Sequence, residues 1–163
     1  MPRVPDPAIS QLLAIMDAAY DKQSWHGTNL RGSIRGLTPA RAAWRPAPAR
    51  HNIWELIVHT AYWKYIGLRR LTGGARGSFP LKGSNWMTRP QEVSARALQS
   101  DVALLEQMHR ALRAAVAGLL PRDLAVTAPG SSVSNFALLS GVAAHDLYHA
   151  GQIQLLKRLA PAR

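Results

Sequence analysis

The chain has 163 residues, of which 47% are hydrophobic and 18% charged, and these values predict one globular domain over residues 1–163. The absence of cysteine excludes disulfide scaffolds, cysteine-ligated clusters and cysteine nucleophiles. No apolar run is long enough for a signal peptide or a membrane span, so we expect a soluble, cytoplasmic protein.

Positive charge is concentrated in the first half of the chain. The net charge is +11, and residues 22–91 hold twelve basic residues against one acid, Glu55. Such a bias is typical of proteins with an anionic partner, which can be a nucleic acid, a membrane surface or an acidic small molecule. The alternative is that the arginines are simply solvated on the surface.

Apolar periodicity predicts the first helix over about residues 7–21, with Asp6 as its cap. Two short helical turns are predicted in the connector, one near Thr28 and one at Thr38-Pro39. The second long helix begins at Asn52, which has capping-box spacing to Glu55, and stops at Gly73. Because this helix is apolar around nearly its whole circumference, it is either central or part of a subunit interface.

Residues 73–90 show no periodicity, and a loop of this length can return along the second helix. A third helix is predicted over about residues 91–120, and a fourth starts after Ser134 and ends near Ala160. No strand is predicted. The expected fold is therefore an all-α four-helix bundle with a long crossover loop between helices 2 and 3.

Two histidines of the fourth helix carry the strongest chemical signal. His145 and His149 are one turn apart and point to the same inward face, a spacing that lets two imidazoles bind one metal ion. His59 lies on an apolar side of the second helix and is the candidate third ligand. Three histidines without a fourth protein ligand are typical of a catalytic metal site with an open position. The weaker candidates are His109, beside the third-helix seam, and His26 and His51, in connectors.

Four further residues are candidates for a catalytic role. Glu55 either hydrogen-bonds the His59 imidazole or only caps its helix, and Asp146 either orients a ligand or acts as a base, or is a boundary residue. Tyr148 and Gln152 either line the site or pack between helices. Gly151 suggests a close helix approach. The connector arginines can clamp an anion or be solvated; they are Arg31, Arg35, Arg41, Arg45 and Arg50.

Three segments of the sequence resemble one known family. They are Trp44-Arg45-Pro46, the stretch Asn52-Ile53-Trp54-Glu55-Leu56-Ile57-Val58-His59, and His145-Asp146-Leu147-Tyr148-His149-Ala150-Gly151-Gln152-Ile153. On these segments the chain resembles the DinB/YfiT-like superfamily of four-helix metal-binding proteins, over about residues 12–159. The resemblance implies that His59, His145 and His149 bind a divalent metal, zinc or nickel, in an up-down-down-up bundle that forms homodimers.

The same resemblance implies an activity. Relatives include S-transferases and isomerases that use low-molecular-weight thiols, so we expect a metal-dependent transferase or hydrolase acting on a small molecule. One alternative is a non-catalytic stress-response or interaction module with a structural or vestigial metal site. A nucleic-acid-binding protein is disfavoured because no helix-turn-helix, zinc-finger or RNP-type signature is present. Membrane binding is disfavoured because no helix pairs a basic face with an exposed aromatic one.

Overall fold

A computed structural model describes residues 6–161 as an all-α protein, which confirms the predicted class. The helices are α1 (Pro7–Tyr20), α2 (Leu30–Ser33), α3 (Pro39–Ala43), α4 (Ile53–Thr72), α5 (Ala95–Ala117) and α6 (Asn135–Leu159), with a 3₁₀ turn at Pro121–Ala125. Within the described range, β-type pairing is limited to one isolated bridge between Thr127 and Ser134. None of the helices in this range is both long and apolar enough to cross a membrane.

The helices begin and end at residues that suit those positions. The side chains of Asp6, Asn52 and Ser134 accept backbone N–H bonds at the starts of α1, α4 and α6. Each bond satisfies a donor that the first helical turn leaves without an intrahelical partner. α4 ends where Gly73 takes a left-handed conformation with φ 70°, which glycine adopts without a steric penalty.

The bounds of α5 differ from the prediction at both ends. α5 begins at Ala95 rather than at residue 91, because the Ser94 side chain caps it by accepting from the backbone N–H of Ala97. It ends at Ala117 rather than at residue 120, since Gly118 closes the helix and the chain then enters the 3₁₀ turn, which was not predicted. The two short turns predicted in the connector exist as α2 and α3.

α4 lies at the centre of the protein. It packs against α3, α5 and α6, while α1 packs against α5 and α6. Gly67 of α4 faces both α5 and α6, because an added Cβ would lie 3.6 Å from Leu112 of α5 and 3.5 Å from Val142 of α6. This central position accounts for the apolar circumference of α4 without a subunit interface.

The prediction of a close helix approach at Gly151 is wrong. Gly151 is exposed, and no described atom outside its own helix backbone and chain neighbours lies within 4 Å of an added Cβ. The glycine that packs between helices is Gly67 instead, and the sequence did not mark it because it sits among apolar residues of a long helix.

The segment between α4 and α5 returns along α4. Three contacts follow it from the end of α4 to its start: Ser78 with Tyr65, Asn85 with His59, and Arg89 with Asn52. α5 then begins beside the start of α4, where the indole Nε1 of Trp54 donates to Asp101 at 2.7 Å. The loop therefore covers the face of α4 that carries His59.

Candidate metal centre

Three imidazoles converge from two helices. His59 comes from α4, and His145 and His149 come from successive turns of α6. Nε2 of His145 lies 3.1 Å from Nε2 of His59 and 3.0 Å from Nε2 of His149. For comparison, two imidazole nitrogens bound to one tetrahedral zinc ion are about 3.3 Å apart, given Zn–N bonds of about 2.0–2.1 Å. The three residues therefore fit a single metal ion, and their ligand atoms all lie within 4.8 Å of one another.

Hydrogen bonds on the far side of two rings leave their Nε2 atoms available. Nδ1 of His59 donates to the backbone carbonyl of Asn85 at 3.0 Å, and Nδ1 of His149 donates to Oε1 of Gln152 at 2.6 Å. Since both acceptors are carbonyl-type oxygens, the proton of each ring sits on Nδ1 and the Nε2 lone pair points to its neighbours. Such outer partners fix ring orientation in metal sites and raise ligand basicity.

Burial keeps the three rings neutral. It lowers the pKa of His59 to about 4 and the pKa of His145 to about 3, and the pKa of His149 is also lowered. His59 and His149 are buried, and His145 is half-buried. A metal binds only unprotonated imidazole, so near neutral pH all three rings are in the form that a metal requires.

Aromatic residues form the walls around the histidines. Trp86 stacks on His59, with ring centroids 3.8 Å apart, and its opposite face stacks on His51 at 3.6 Å. Trp63 meets His145 edge-on at 6.3 Å and donates from Nε1 to the side-chain oxygen of Asn85 at 2.9 Å. These rings shield the imidazoles from water and hold the loop against α4.

The three histidines lie at one side of an open cavity of about 570 Å³. Its other lining residues are mostly apolar and come from α4, the loop after α4, the segment just before α6, and α6; they include Trp63, Trp86, Leu138, Val142 and Tyr148. A volume of this size is typical of small-molecule sites. Tyr148 is 65% exposed and stands at the cavity with its ring 5.1 Å from His149.

Glu55 makes no described hydrogen bond to His59. Its backbone N–H is bonded by the Asn52 side chain, and its carboxylate accepts from Arg45, from Nδ1 of His51 at 2.9 Å and from the backbone N–H of Arg89 at 3.3 Å. The buried carboxylate thereby joins the connector to the end of the loop. Half of the predicted capping box is present. The Asn52 side chain accepts from the Glu55 backbone N–H, but the Glu55 side chain bonds Arg45, His51 and Arg89.

The other candidates divide between the site and the core. Gln152 bonds His149, and Tyr148 lines the cavity. Asp146 faces away from it, since its carboxylate pairs with Lys64 in the core. His109 is buried against the ring of Tyr20 and belongs to no described metal-ligand group, and His26 is exposed.

The connector arginines do not face this cavity. Arg31 pairs with Glu106, Arg45 pairs with Glu55, and Arg41 donates to the backbone carbonyl of Lys157. None of the five arginines proposed as an anion clamp is among the described residues that line the metal-side cavity. The bonds of Arg31, Arg41 and Arg45 instead hold the connector onto α5, α6 and α4.

Asn85, Trp86 and Lys64 are the residues of this region that sequence reasoning missed. Asn85 and Trp86 lie in an aperiodic loop, where spacing carries no information about tertiary contacts. The sequence does indicate an ion pair for Lys64, because a lysine flanked by Trp63 and Tyr65 inside an apolar helix must either reach solvent or pair with an acid.

Comparison with known proteins identifies the family. The family model for the DinB superfamily matches residues 23–153, which includes all three histidines. Neither the search of curated proteins nor the search of solved structures returned a match. The matched segment covers most of the chain, and the chain belongs to the DinB superfamily.

Proposed function

We propose that the protein is a metal-dependent enzyme that transfers a low-molecular-weight thiol to a small electrophile. The observation that carries the proposal is the convergence of three neutral imidazole Nε2 atoms beside an open, mainly apolar cavity. His59, His145 and His149 would hold a divalent ion, with zinc or nickel as the candidates. When bound, such an ion supplies Lewis-acid chemistry, which lowers the pKa of a thiol or water beside it.

The chain's own residues would orient the reaction. Asn85 and Gln152 hold the His59 and His149 rings in position, and Trp63 and Trp86 exclude water from one side of the cavity. Tyr148 lines the cavity, and its hydroxyl would donate a hydrogen bond to the leaving group. In the transfer, a sulfur–carbon bond forms, the bond from carbon to the leaving group breaks, and the thiol proton departs with the leaving group.

The contacts also support a finer architecture. α4 and α5 lie side by side in the same direction, because Trp54 contacts Asp101 and Gly67 faces Leu112. With the return of the loop along α4, this supports the up-down-down-up four-helix arrangement. A homodimer, which the family resemblance implies, stays a prediction that light scattering on the purified protein tests.

Metal content and thiol consumption test the proposal together. We expect about one zinc or nickel ion per chain by elemental analysis, and its loss in the His145→Ala/His149→Ala variant. The exposed His26→Ala substitution is the control and should retain the metal. Mass spectrometry should show that the metal-loaded protein forms the thioether from cysteine and an alkyl halide faster than the uncatalysed reaction does, and that the double variant gives only the uncatalysed rate.

Two results would contradict the enzyme proposal. A protein that stays metal-free after incubation with zinc or nickel has no such centre. A protein that binds the metal but accelerates thioether formation with none of a panel of low-molecular-weight thiols lacks the proposed activity. In that case the non-catalytic module is the better description.

A further inference from the structure

A second cavity, of about 650 Å³, lies between α4 and the loop that follows it. Three cationic side chains line it, those of Arg69, Arg76 and Lys82. Three aromatic rings line it as well, those of Tyr62, Tyr65 and Phe79. None of its lining residues is shared with the cavity beside the histidines.

The three cations have no acidic partner among residues 6–161. Five of the twelve basic residues between positions 22 and 91 pair with carboxylates. Arg69, Arg76 and Lys82 are among the other seven, and no ion pair or side-chain hydrogen bond is described for any of them within residues 6–161. Three like charges around one concavity repel each other, and an anion placed among them relieves that repulsion.

Tyrosine and phenylalanine side chains fix the walls of this basic cavity. The Tyr65 hydroxyl donates to the Ala75 carbonyl at 3.3 Å and accepts from the backbone N–H of Ser78 at 3.1 Å, which holds the loop around Arg76 onto α4. The Phe79 ring is buried, with its centroid 5.3 Å from that of Tyr62 and 5.3 Å from that of Tyr65. The cations therefore project from a packed wall rather than from an unsupported loop.

The basic cavity and the metal-side cavity are neighbours. Ser84 lines the first and Asn85 the second, while Tyr62 lines the first and Trp63 the second. The Tyr62 and Trp63 rings meet edge-on, with centroids 5.9 Å apart. The two cavities therefore adjoin on the surface of α4.

We propose that the basic cavity binds the carboxylate or phosphate group of a small-molecule ligand. Its volume is in the range of small-molecule sites, and arginine is suited to bidentate contacts with both oxyanions. That this ligand is also the substrate at the three histidines rests on the function proposed above. Anion binding itself does not depend on that function.

Equilibrium dialysis of the full-length protein tests the proposal, with radiolabelled inorganic phosphate and radiolabelled tricarballylate as the probes. We expect at least one probe to bind, and the Arg76→Glu/Lys82→Glu variant to bind it at least about tenfold more weakly, because charge-assisted hydrogen bonds are lost. Both residues are exposed, so the variant should fold. The control is Arg50→Glu/Arg96→Glu, which changes the net charge equally at two exposed positions outside the cavity and should bind within about twofold of the wild type.

Three results would overturn the proposal. The first is no binding of either probe by the wild-type protein. The second is an equal loss in both double variants, which assigns the effect to net charge. The third is binding of a single-stranded oligonucleotide that depends on Arg76 and Lys82 without binding of either probe, which assigns these cations to a nucleic-acid surface. Metal content is measured on the same samples. Absence of anion binding by wild-type protein that contains its metal then contradicts this proposal without contradicting the proposed function.

Discussion

Nδ1 of His59 lies 3.0 Å from the backbone carbonyl oxygen of Asn85, and this hydrogen bond joins the loop to the metal centre. Because the carbonyl can only accept, the bond keeps the proton of His59 on Nδ1 and the lone pair on Nε2. Asn85 has φ 57°, a left-handed conformation that glycine and asparagine adopt more readily than other residues. The tautomer of His59 that can bind a metal thus depends on the backbone of one loop residue.

The zinc affinity of Asn85 variants should therefore depend on how readily the new residue adopts the left-handed backbone conformation, rather than on its side-chain chemistry. Asn85→Gly loses the side-chain bond to Trp63 but keeps the left-handed conformation, so zinc affinity should stay within about threefold of the wild type. Asn85→Val places a β-branched residue at positive φ, at a cost of about 1–3 kcal/mol, and should weaken zinc binding at least about tenfold. Competition with a chromophoric chelator measures both affinities. Equal affinities in the two variants would show that the hydrogen bond from His59 to the Asn85 carbonyl does not affect zinc binding.

Gln152 should act on the metal through His149. Its Oε1 accepts from Nδ1 of His149 at 2.6 Å, and Gln152→Leu removes that acceptor while keeping a similar volume. We expect zinc affinity to fall about 10–100-fold, as for other outer-shell partners of metal-bound histidine. Gln154→Leu is the matched control, because Gln154 lies two residues along α6 and bonds Thr28 instead. An equal loss in both variants would attribute the effect to α6 in general.

The sequence predicted the parts of the site that local geometry determines. His145 and His149 fall on one face of α6 because residues four apart on a helix are neighbours. His59 was recognised because it lies on an apolar side of a helix, where an imidazole needs a partner. Gln152 was recognised only as a candidate, since spacing alone does not distinguish a bond to His149 from packing between helices.

The parts that were missed depend on contacts between distant segments. Asn85 and Trp86 reach His59 across a loop without periodicity, so spacing could not place them. The start of α5 was placed at residue 91 because three of residues 91–94 are polar, and the sequence alone does not show which of them caps the helix. A hydrogen bond to His59 was one of the two roles predicted for Glu55, but its carboxylate bonds Arg45, since the conformation of the connector decides which cation reaches it.

Removing one member of the Lys64–Asp146 pair should destabilise the protein much more than removing both. Both side chains are almost fully buried, and burial raises the pKa of Asp146 while the Lys64 ammonium beside it opposes that shift. Lys64→Met leaves the carboxylate buried without its partner and should lower the free energy of unfolding by about 3–5 kcal/mol. Lys64→Met/Asp146→Leu removes both charges and should recover much of that loss, as urea denaturation can measure. A double variant as unstable as the single one would contradict this account.

His109 should make stability depend on pH independently of the metal centre. The residue is 4% exposed, its ring stacks on Tyr20 with centroids 3.6 Å apart, and Nδ1 has no described hydrogen-bond partner. Burial lowers its pKa to about 3, whereas an unfolded histidine has a pKa of about 6.5. Between these values the unfolded chain binds a proton that the folded protein does not, so stability falls as the pH falls below about 6.5.

The size of this effect can be measured with His109→Phe, which keeps an aromatic ring against Tyr20 and removes the titrating group. Between about pH 7 and pH 5 the wild type should lose about 2 kcal/mol more than the variant, since each pH unit below the unfolded pKa contributes about 1.4 kcal/mol. Urea denaturation of both proteins after the same chelator treatment gives the comparison, because His59, His145 and His149 then contribute equally to each. Parallel losses in the two proteins would mean that His109 takes up its proton in the folded state.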